Sequence, residues 1–442
     1  MKTVIIGNGI SGITCARHIR KRSADPVTII SEETDHFFSR TALMYIYMGH
    51  MKYENTKPYE DHFWKKNAIE LVRKRVTNIN TADKVLEFAD GTQMPYDVLV
   101  LATGSKSNTF GWPGQALTGA QTLYSLQDLE SLEENSRGVS RAVIVGGGLI
   151  GIEMAEMLRS RNIHVTFLVR EQSFWSNILP FEESALINRH IQEHHIDLRL
   201  EAALQEIIDD GKGGIQSIRT VEGEEIPCTL VGITVGVSPN IAFLKTTDIK
   251  TDKGILVNAF FETSVPGIYA IGDCAQFATP LPGRRPVEQV WYTGRMHGET
   301  LALTLTGKKT AYNPGHWFNS AKFLDIEYQT YGMVAAQPTA QETGFYWEAP
   351  NGKICFRMVY DRQTETLLGI NTFGIRMRHL VVDRWLTEKR NACYVMEHLA
   401  DAVFDPEFYR HYEKDIVETY NEANNTTIKI AKKSWKRILN LQ

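Results

Sequence analysis

Twice along this chain a short β-branched run gives way, through glycines, to a stretch whose apolar residues recur at helical spacing. The first copy reads Val4-Ile5-Ile6-Gly7-Asn8-Gly9-Ile10-Ser11-Gly12, and the second, 139 positions later, reads Val143-Ile144-Val145-Gly146-Gly147-Gly148-Leu149-Ile150-Gly151. Each predicts a strand, a tight turn and a helix, so residues 1–35 and about 139–170 read as βαβ units. Residues 69–101 read as short strands with a hairpin at Asp90-Gly91, closing on the apolar Val98-Leu99-Val100-Leu101. Residues 182–195 read as a helix, 196–235 as strand-rich, and 255–257 and 267–271 as short strands. A long helix is predicted from near Pro286 to Leu305. After Gly307 the texture changes: period-two alternation over 316–370 predicts antiparallel strands, and 376–422 reads as helices.

The glycine spacing carries chemistry. In G-x-G-x-x-G between strand and helix, the first glycine permits the turn and the second lets backbone approach a pyrophosphate. The third lets helix and strand pack closely. Ile10 and Ser11, and likewise Leu149 and Ile150, open helices whose N-termini face the phosphates. Two copies, on Gly7, Gly9, Gly12 and on Gly146, Gly148, Gly151, imply two dinucleotides and a redox relay between them. Glu32 ends the strand that follows the first helix, where a carboxylate accepts hydrogen bonds from a ribose diol. Ala102-Thr103-Gly104 closes an apolar run with small residues, as a chain passing close to a ligand requires. Gly272-Asp273 stands at a strand end, where parallel sheets place ligand contacts.

The predicted fold class is α/β. Two Rossmann-like dinucleotide-binding domains, the first split in sequence and the second inserted into it, precede a C-terminal α+β domain. Breaks at Gly111-Trp112-Pro113-Gly114 and at residues 234–240 divide the chain into 1–112 and 240–309 for the first, 113–239 for the second, and 310–442 for the last.

Composition removes several alternatives. Lysine plus arginine number 48 against 52 acidic residues, a net charge of −4, so nucleic-acid binding is not expected. No run approaches the ~18 apolar residues of a membrane span. Met1-Lys2-Thr3 and the residues after it read as a core strand rather than a leader, and the expected location is cytoplasmic. Cys15, Cys228, Cys274, Cys355 and Cys393 form no C-x-x-C pair and no metal-ligand spacing. His194-His195 is a histidine doublet on an ordinary amphipathic helix, and no metal site is expected.

Taken together, these motifs resemble the FAD- and NAD(P)H-dependent reductases of the pyridine-nucleotide disulfide oxidoreductase superfamily, with ferredoxin- and rubredoxin-reductase-like and nitrite-reductase flavin-domain-like members nearest in pattern. The resemblance covers about residues 1–310. It rests on Gly7–Gly12 with Glu32, Ala102-Thr103-Gly104, Gly146–Gly151 with Glu153, and Gly267-Ile268-Tyr269-Ala270-Ile271-Gly272-Asp273. It implies that Gly7, Gly9, Gly12 and Glu32 hold FAD, that Asp273 binds its ribityl or pyrophosphate part, and that Arg40 lies close to the flavin. It implies that Gly146, Gly148 and Gly151 hold the nicotinamide dinucleotide. Glu153 would then lie near the nicotinamide–flavin contact and Trp291 over the flavin. Its interface domain leaves a homodimer open.

Two departures qualify this. Where disulfide-reducing members carry a cysteine, this chain has Thr41, and thiolate chemistry needs that sulfur. Where ferredoxin-reductase-like members carry a lysine to partner the second-motif acid, this chain has Tyr45. The expected activity is hydride transfer from NADH or NADPH to flavin, then electron transfer to an iron–sulfur protein or complex. An NAD(P)H oxidase and a slow-turnover flavin-bearing interaction protein are the alternatives. Arg170 and Glu171 compete for the position that reads the adenosine ribose. Phe174-Trp175-Ser176, where NADPH-binding members place a second arginine, tips the expectation to NADH. Lys429, Lys432, Lys433, Lys436 and Arg437, with Ile428, Trp435, Ile438 and Leu439 at roughly helical spacing, suggest a basic tail docking on an acidic partner or an anionic membrane surface.

Overall fold

The computed structural model describes residues 1–404 and 410–432. The chain divides into two compact units. One comprises residues 1–146, 157–164 and 204–314; the other comprises 147–156, 165–203 and 315–442.

In the first unit the β-branched runs become a parallel sheet of five strands. Their order is Ile268–Ala270, Val98–Leu101, Thr3–Ile6, Val27–Ser31 and Ile69–Arg73. Every residue of the strands Thr3–Ile6, Val27–Ser31 and Val98–Leu101 is buried. That explains why these runs are continuously apolar rather than alternating: a parallel sheet is covered on both faces. One apolar cluster joins Ile5, Ile29 and Val100 to Ile13, Ile19 and Leu301 from the helices Ile10–Arg20 and Trp291–Leu305. Another joins Val4, Ile30, Leu99 and Leu101 to the antiparallel sheet Val76–Asn80, Val85–Phe88 and Gln93–Pro95. The Asp90-Gly91 hairpin forms as expected, with Gly91 at φ 78°. Arg141–Val145 pairs in parallel with Leu230–Ile233, and Leu204–Asp209, Ile215–Thr220 and Glu225–Pro227 form an antiparallel sheet.

The two long helices of this unit meet through glycines. A Cβ on Gly298 would sit 2.5 Å from the Ser11 carbonyl oxygen, and one on Gly294 would sit 2.7 Å from Ser11 Oγ. The second helix starts at Trp291, five residues later than the sequence pattern suggests. The intervening chain is committed elsewhere: the Pro286 carbonyl accepts from Phe277 N–H at 2.9 Å, and Glu288 forms a bidentate pair with Arg284.

In the second unit, Thr166–Val169 pairs in parallel with Asp197–Leu200, and Phe181–Glu193 is helical. The expected antiparallel region is a five-stranded sheet. Its order is Phe318–Phe323, Ile326–Gly332, Leu367–Phe373, Cys355–Asp361 and Glu342–Glu348. Helices His379–Thr387, Ala392–Glu397 and Glu413–Asn424 cover one face, with Trp385, Val382, Met396 and Ile416 packed on Phe356, Met358 and Ile370. Ile428 and Ile430 also pack on this core, so the start of the basic tail is anchored. Lys433, Trp435, Lys436, Arg437, Ile438 and Leu439 lie outside the described residues.

One buried ion cluster stands out in this unit. Arg357 Nε donates to Glu183 Oε1 at 2.8 Å and its Nη2 to Glu182 Oε2 at 2.6 Å, while Asn371 Nδ2 donates to Glu183 Oε2 at 2.8 Å. Glu183 is 0% exposed, and burial pushes its carboxyl above the ordinary range while Arg357 pulls it back. Replacing Arg357 by methionine strands a buried acid. We expect a loss of about 3–5 kcal/mol in denaturant unfolding, largely recovered when Glu183→Gln is added.

Candidate functional site

The first glycine turn shows why each residue is small. Gly7 has φ 116°, and a Cβ there would lie 2.0 Å from the Ala102 carbonyl oxygen. A Cβ on Gly12 would lie 2.1 Å from the Gly7 carbonyl oxygen. Gly9 differs: among the described residues, a Cβ there meets no heavy atom within 4 Å. It is also the N-cap of helix Ile10–Arg20 and supplies no side-chain cap. The first-turn amides, those of Ile10, Ser11 and Gly12 included, have no carbonyl one turn back in the helix to bond to, and the space beside Gly9 is open. That is a built anion cradle. Asn8 braces it by donating to the Thr34 carbonyl at 3.0 Å and Thr34 Oγ1 at 3.1 Å, a role the bare motif does not reveal.

Around the cradle the structure gathers residues from separate segments of the chain. Ser105 Oγ donates to Asp273 Oδ2 at 3.0 Å. Burial pushes the Asp273 carboxyl upward, against the Ser105 hydrogen bond and the Arg40 charge. Gly272, beside it, has φ 74°, and its N–H donates to His297 Nδ1 at 3.1 Å. His297 is enclosed by Phe261, Phe277 and Tyr312, and burial first, then Arg284, pushes it down to about 3. It is therefore a neutral, permanent acceptor. The Tyr124 hydroxyl accepts from Ser105 N–H at 2.9 Å and stands where a Cβ on Gly104 would come within 2.9 Å. Thr103 Oγ1 donates to the Asn240 carbonyl at 2.8 Å.

Arg40 joins this group, but not as a free cation. Its guanidinium is held bidentately by Glu33, at 2.9 and 2.5 Å, donates to the Tyr124 carbonyl at 2.6 Å, and lies 4.5 Å from the Tyr124 ring centroid. Burial works against the charge and Glu33 holds it in place. Glu33 also accepts from Leu126 N–H at 2.9 Å. Its neighbour Glu32, the ribose candidate, is exposed and lies 3.6 Å from Arg75. Trp291 is 37% exposed at the start of its helix, with the Tyr292 ring beside it.

The second turn repeats the logic. Gly146 has φ 115°, and a Cβ there would lie 2.6 Å from the Thr234 carbonyl oxygen, while Thr234 Oγ1 donates to the Val145 carbonyl at 2.9 Å. Gly147, which the motif leaves free, is constrained as well: its Cβ would meet Val169 Cγ1 at 2.8 Å. Gly148 opens on free space among the described residues, as Gly9 does, and its carbonyl accepts from Ile152 N–H at 3.1 Å. Gly151 lies in helix Leu149–Ser160. Glu153, on the same helix, is pushed up to about 7 by burial, with Glu156 adding to the rise and Lys322 opposing it. Lys322 Nζ donates to Glu156 Oε1 at 2.7 Å. A lysine therefore does stand near the acid, supplied by a strand far along the chain rather than by the Tyr45 position. Arg170 and Glu171 pair with each other at 2.8 Å.

Two glycine turns with open amide cradles, each at the end of a buried parallel strand, define an oxidoreductase that uses two dinucleotides. The chain belongs to the pyridine nucleotide-disulphide oxidoreductase family, which it matches over residues 1–298. Rhodocoxin reductase of Rhodococcus erythropolis is 28% identical over 344 residues, 77% of this chain and 80% of that protein. An NADH oxidase of Methanocaldococcus jannaschii is 27% identical over 350 residues, 76% of this chain and 77% of that protein. A ferredoxin reductase from Rhodopseudomonas palustris shares the fold, with a TM-score of 0.77 and 24% identity, covering 84% of this chain and 91% of that one. This chain is an FAD-dependent NAD(P)H oxidoreductase, and the open cradles fit both groups. Among the described residues no helix is long and apolar enough to cross a membrane.

The open space at Gly9 separates folding from binding. Gly9→Leu should fold, with far-ultraviolet circular dichroism unchanged, yet retain no flavin absorbance after gel filtration. Gly7→Ala should instead cost ~3 kcal/mol of stability, because backbone strain and a backbone clash coincide. A folded Gly9→Leu protein with full flavin content would overturn the cradle assignment.

Glu153 gives a pH prediction. Its folded value of about 7 exceeds the ordinary 4.5, so the fold carries no penalty from it below pH 4.5 and a growing one as pH rises to about 7. Glu153→Gln should be indistinguishable in stability from wild type in acid and more stable by up to ~3 kcal/mol near neutrality. Parallel unfolding curves at both pH values would refute the shift.

Proposed function

We propose that this enzyme passes electrons from NADH to a redox protein, with no thiol step. The observation that carries this reading is the state of its sulfurs. Cys15, Cys228, Cys274 and Cys355 are buried, and burial pushes each thiol upward. Cys393 is partly buried in the C-terminal unit, and Thr41 occupies the position of the family's reactive cysteine. No buried thiol is poised to receive electrons, which supports a route without a thiol step.

When bound, FAD supplies hydride acceptance and one-electron release. The chain's own residues bind and orient. Gly9 and Gly148 with the amides that follow them would hold the two pyrophosphates, Glu32 the FAD ribose, and Asp273 the ribityl chain or pyrophosphate. Arg40, fixed by Glu33, would present a guanidinium edge whose charge is largely balanced, so it tunes the reduced state gently. Trp291 would cover the flavin, and Glu153 would keep a proton near neutrality. Glu171, with its partner Arg170 largely exposed, would select NADH. In this reading residues 1–112 and 240–309 form the FAD domain, 113–239 the nicotinamide domain and 310–442 the interface domain of a cytoplasmic homodimer. Lys429, Lys432, Lys433, Lys436 and Arg437 would steer an acidic redox protein.

The test is a stopped-flow comparison of both half-reactions before and after thiol alkylation. Reduction by NADH should be unchanged, discharge to oxygen slow, and transfer to an acidic ferredoxin fast. Removing residues 433–442, which leaves the packed Ile428 and Ile430 in place, should slow only the transfer, most at low salt. Rapid discharge to oxygen would favour the oxidase reading, and inactivation by alkylation would defeat the thiol-free one.

A further inference from the structure

We propose that the C-terminal unit carries a zinc site formed by His190, His194 and Asp325. The two histidines stand one turn apart at the end of helix Phe181–Glu193, with His194 as its C-cap. Asp325 sits with Leu324 in the two-residue turn joining strands Phe318–Phe323 and Ile326–Gly332. Leu324 holds φ 56° with its side chain buried, an unfavourable backbone for leucine that fixes the turn and aims Asp325 at the helix. One ligand atom from each of the three residues lies within 4.8 Å of the others.

Both histidines face the same carboxylate oxygen. His194 Nδ1 lies 2.9 Å from the His190 carbonyl, which can only accept, so Nδ1 carries the hydrogen. His194 Nε2, the other ring nitrogen, faces Asp325 Oδ1, 3.4 Å away. His190 Nε2 approaches the same oxygen at 2.5 Å. Its other nitrogen, Nδ1, is buried without a hydrogen-bond partner among the described residues. A divalent cation held between them would join all three groups. Tetrahedral ligands about 2.0–2.2 Å from zinc stand ~3.3 Å apart, close to the 3.4 Å His194–Asp325 separation and wider than the 2.5 Å His190–Asp325 approach, which the ion would open. Two imidazoles and a carboxylate suit zinc, with water in the fourth position. The surrounding shell is the kind such sites use. The His190 carbonyl accepts from His194 Nδ1, and Glu193 Oε2, 3.8 Å from His190 Nδ1 and tethered by Lys353 at 3.0 Å, would close in to accept the Nδ1–H of a ligated His190. The ion would tie the helix to the hairpin turn, independently of the flavin.

Full-length, flavin-loaded protein is stripped with a chelator, dialysed and titrated with zinc chloride by calorimetry. Wild type should bind one zinc per chain, with a higher melting temperature in its presence. Asp325→Asn and His194→Ala should lose binding and the thermal shift, and Glu193→Gln should weaken binding ~10-fold or more. Flavin absorbance and reduction by NADH should be unaltered in all three. Asp325→Asn keeps the size of an exposed turn residue, so it tests the site even if His194→Ala folds poorly. No zinc uptake by wild type, or equal uptake by Asp325→Asn, would overturn the proposal.

Discussion

A backbone that must lie against a neighbouring carbonyl leaves no room for a side chain, and the first unit is organised around that constraint. Gly7 rests on Ala102 and Gly12 on Gly7, while Gly272, Gly294 and Gly298 all close on Ser11. These approaches bring the parallel sheet and two long helices so close that the helix N-terminus stands open beside the strand ends. The cradle at Gly9 is the space left open between Gly7 and Gly12, both of which are packed shut.

Charges in the site follow from what surrounds them rather than from residue type. Arg40 is legible in the sequence as a basic group, but Glu33 sets how much of its charge is felt. Glu153 is legible as an acid, but burial and Glu156 push its carboxyl up to about 7. His297 carries no sequence signal, yet its neutral ring is what holds the Gly272 amide in place.

The glycine motifs and the texture change after Gly307 were legible because they are local: a turn needs its glycines at fixed spacing, and a sheet or helix needs its apolar period. The five-stranded parallel sheet and the antiparallel sheet with its helices followed from these. Residues that act across long sequence distances were not legible. Glu33 reaches Arg40 and Leu126, Tyr124 reaches Ser105, and Lys322 reaches Glu156, and nothing in their spacing marks them. The helix at Trp291 starts late for a similar reason, since Glu288 and Pro286 answer to Arg284 and Phe277. Of the histidine doublet, only His194 meets His190, because their partner is a turn 131 positions away.

The open amides at Gly9 also have a thermodynamic side. Whatever fills the cradle binds the folded chain and has no such site in the unfolded one, so by mass action it is a folding ligand as well as a redox group. At a free concentration of about 100 times its dissociation constant, it adds ~2.7 kcal/mol to the stability of the fold, and each further tenfold adds ~1.4 kcal/mol. Supply of that ligand and abundance of folded enzyme are thereby linked through a single turn of backbone.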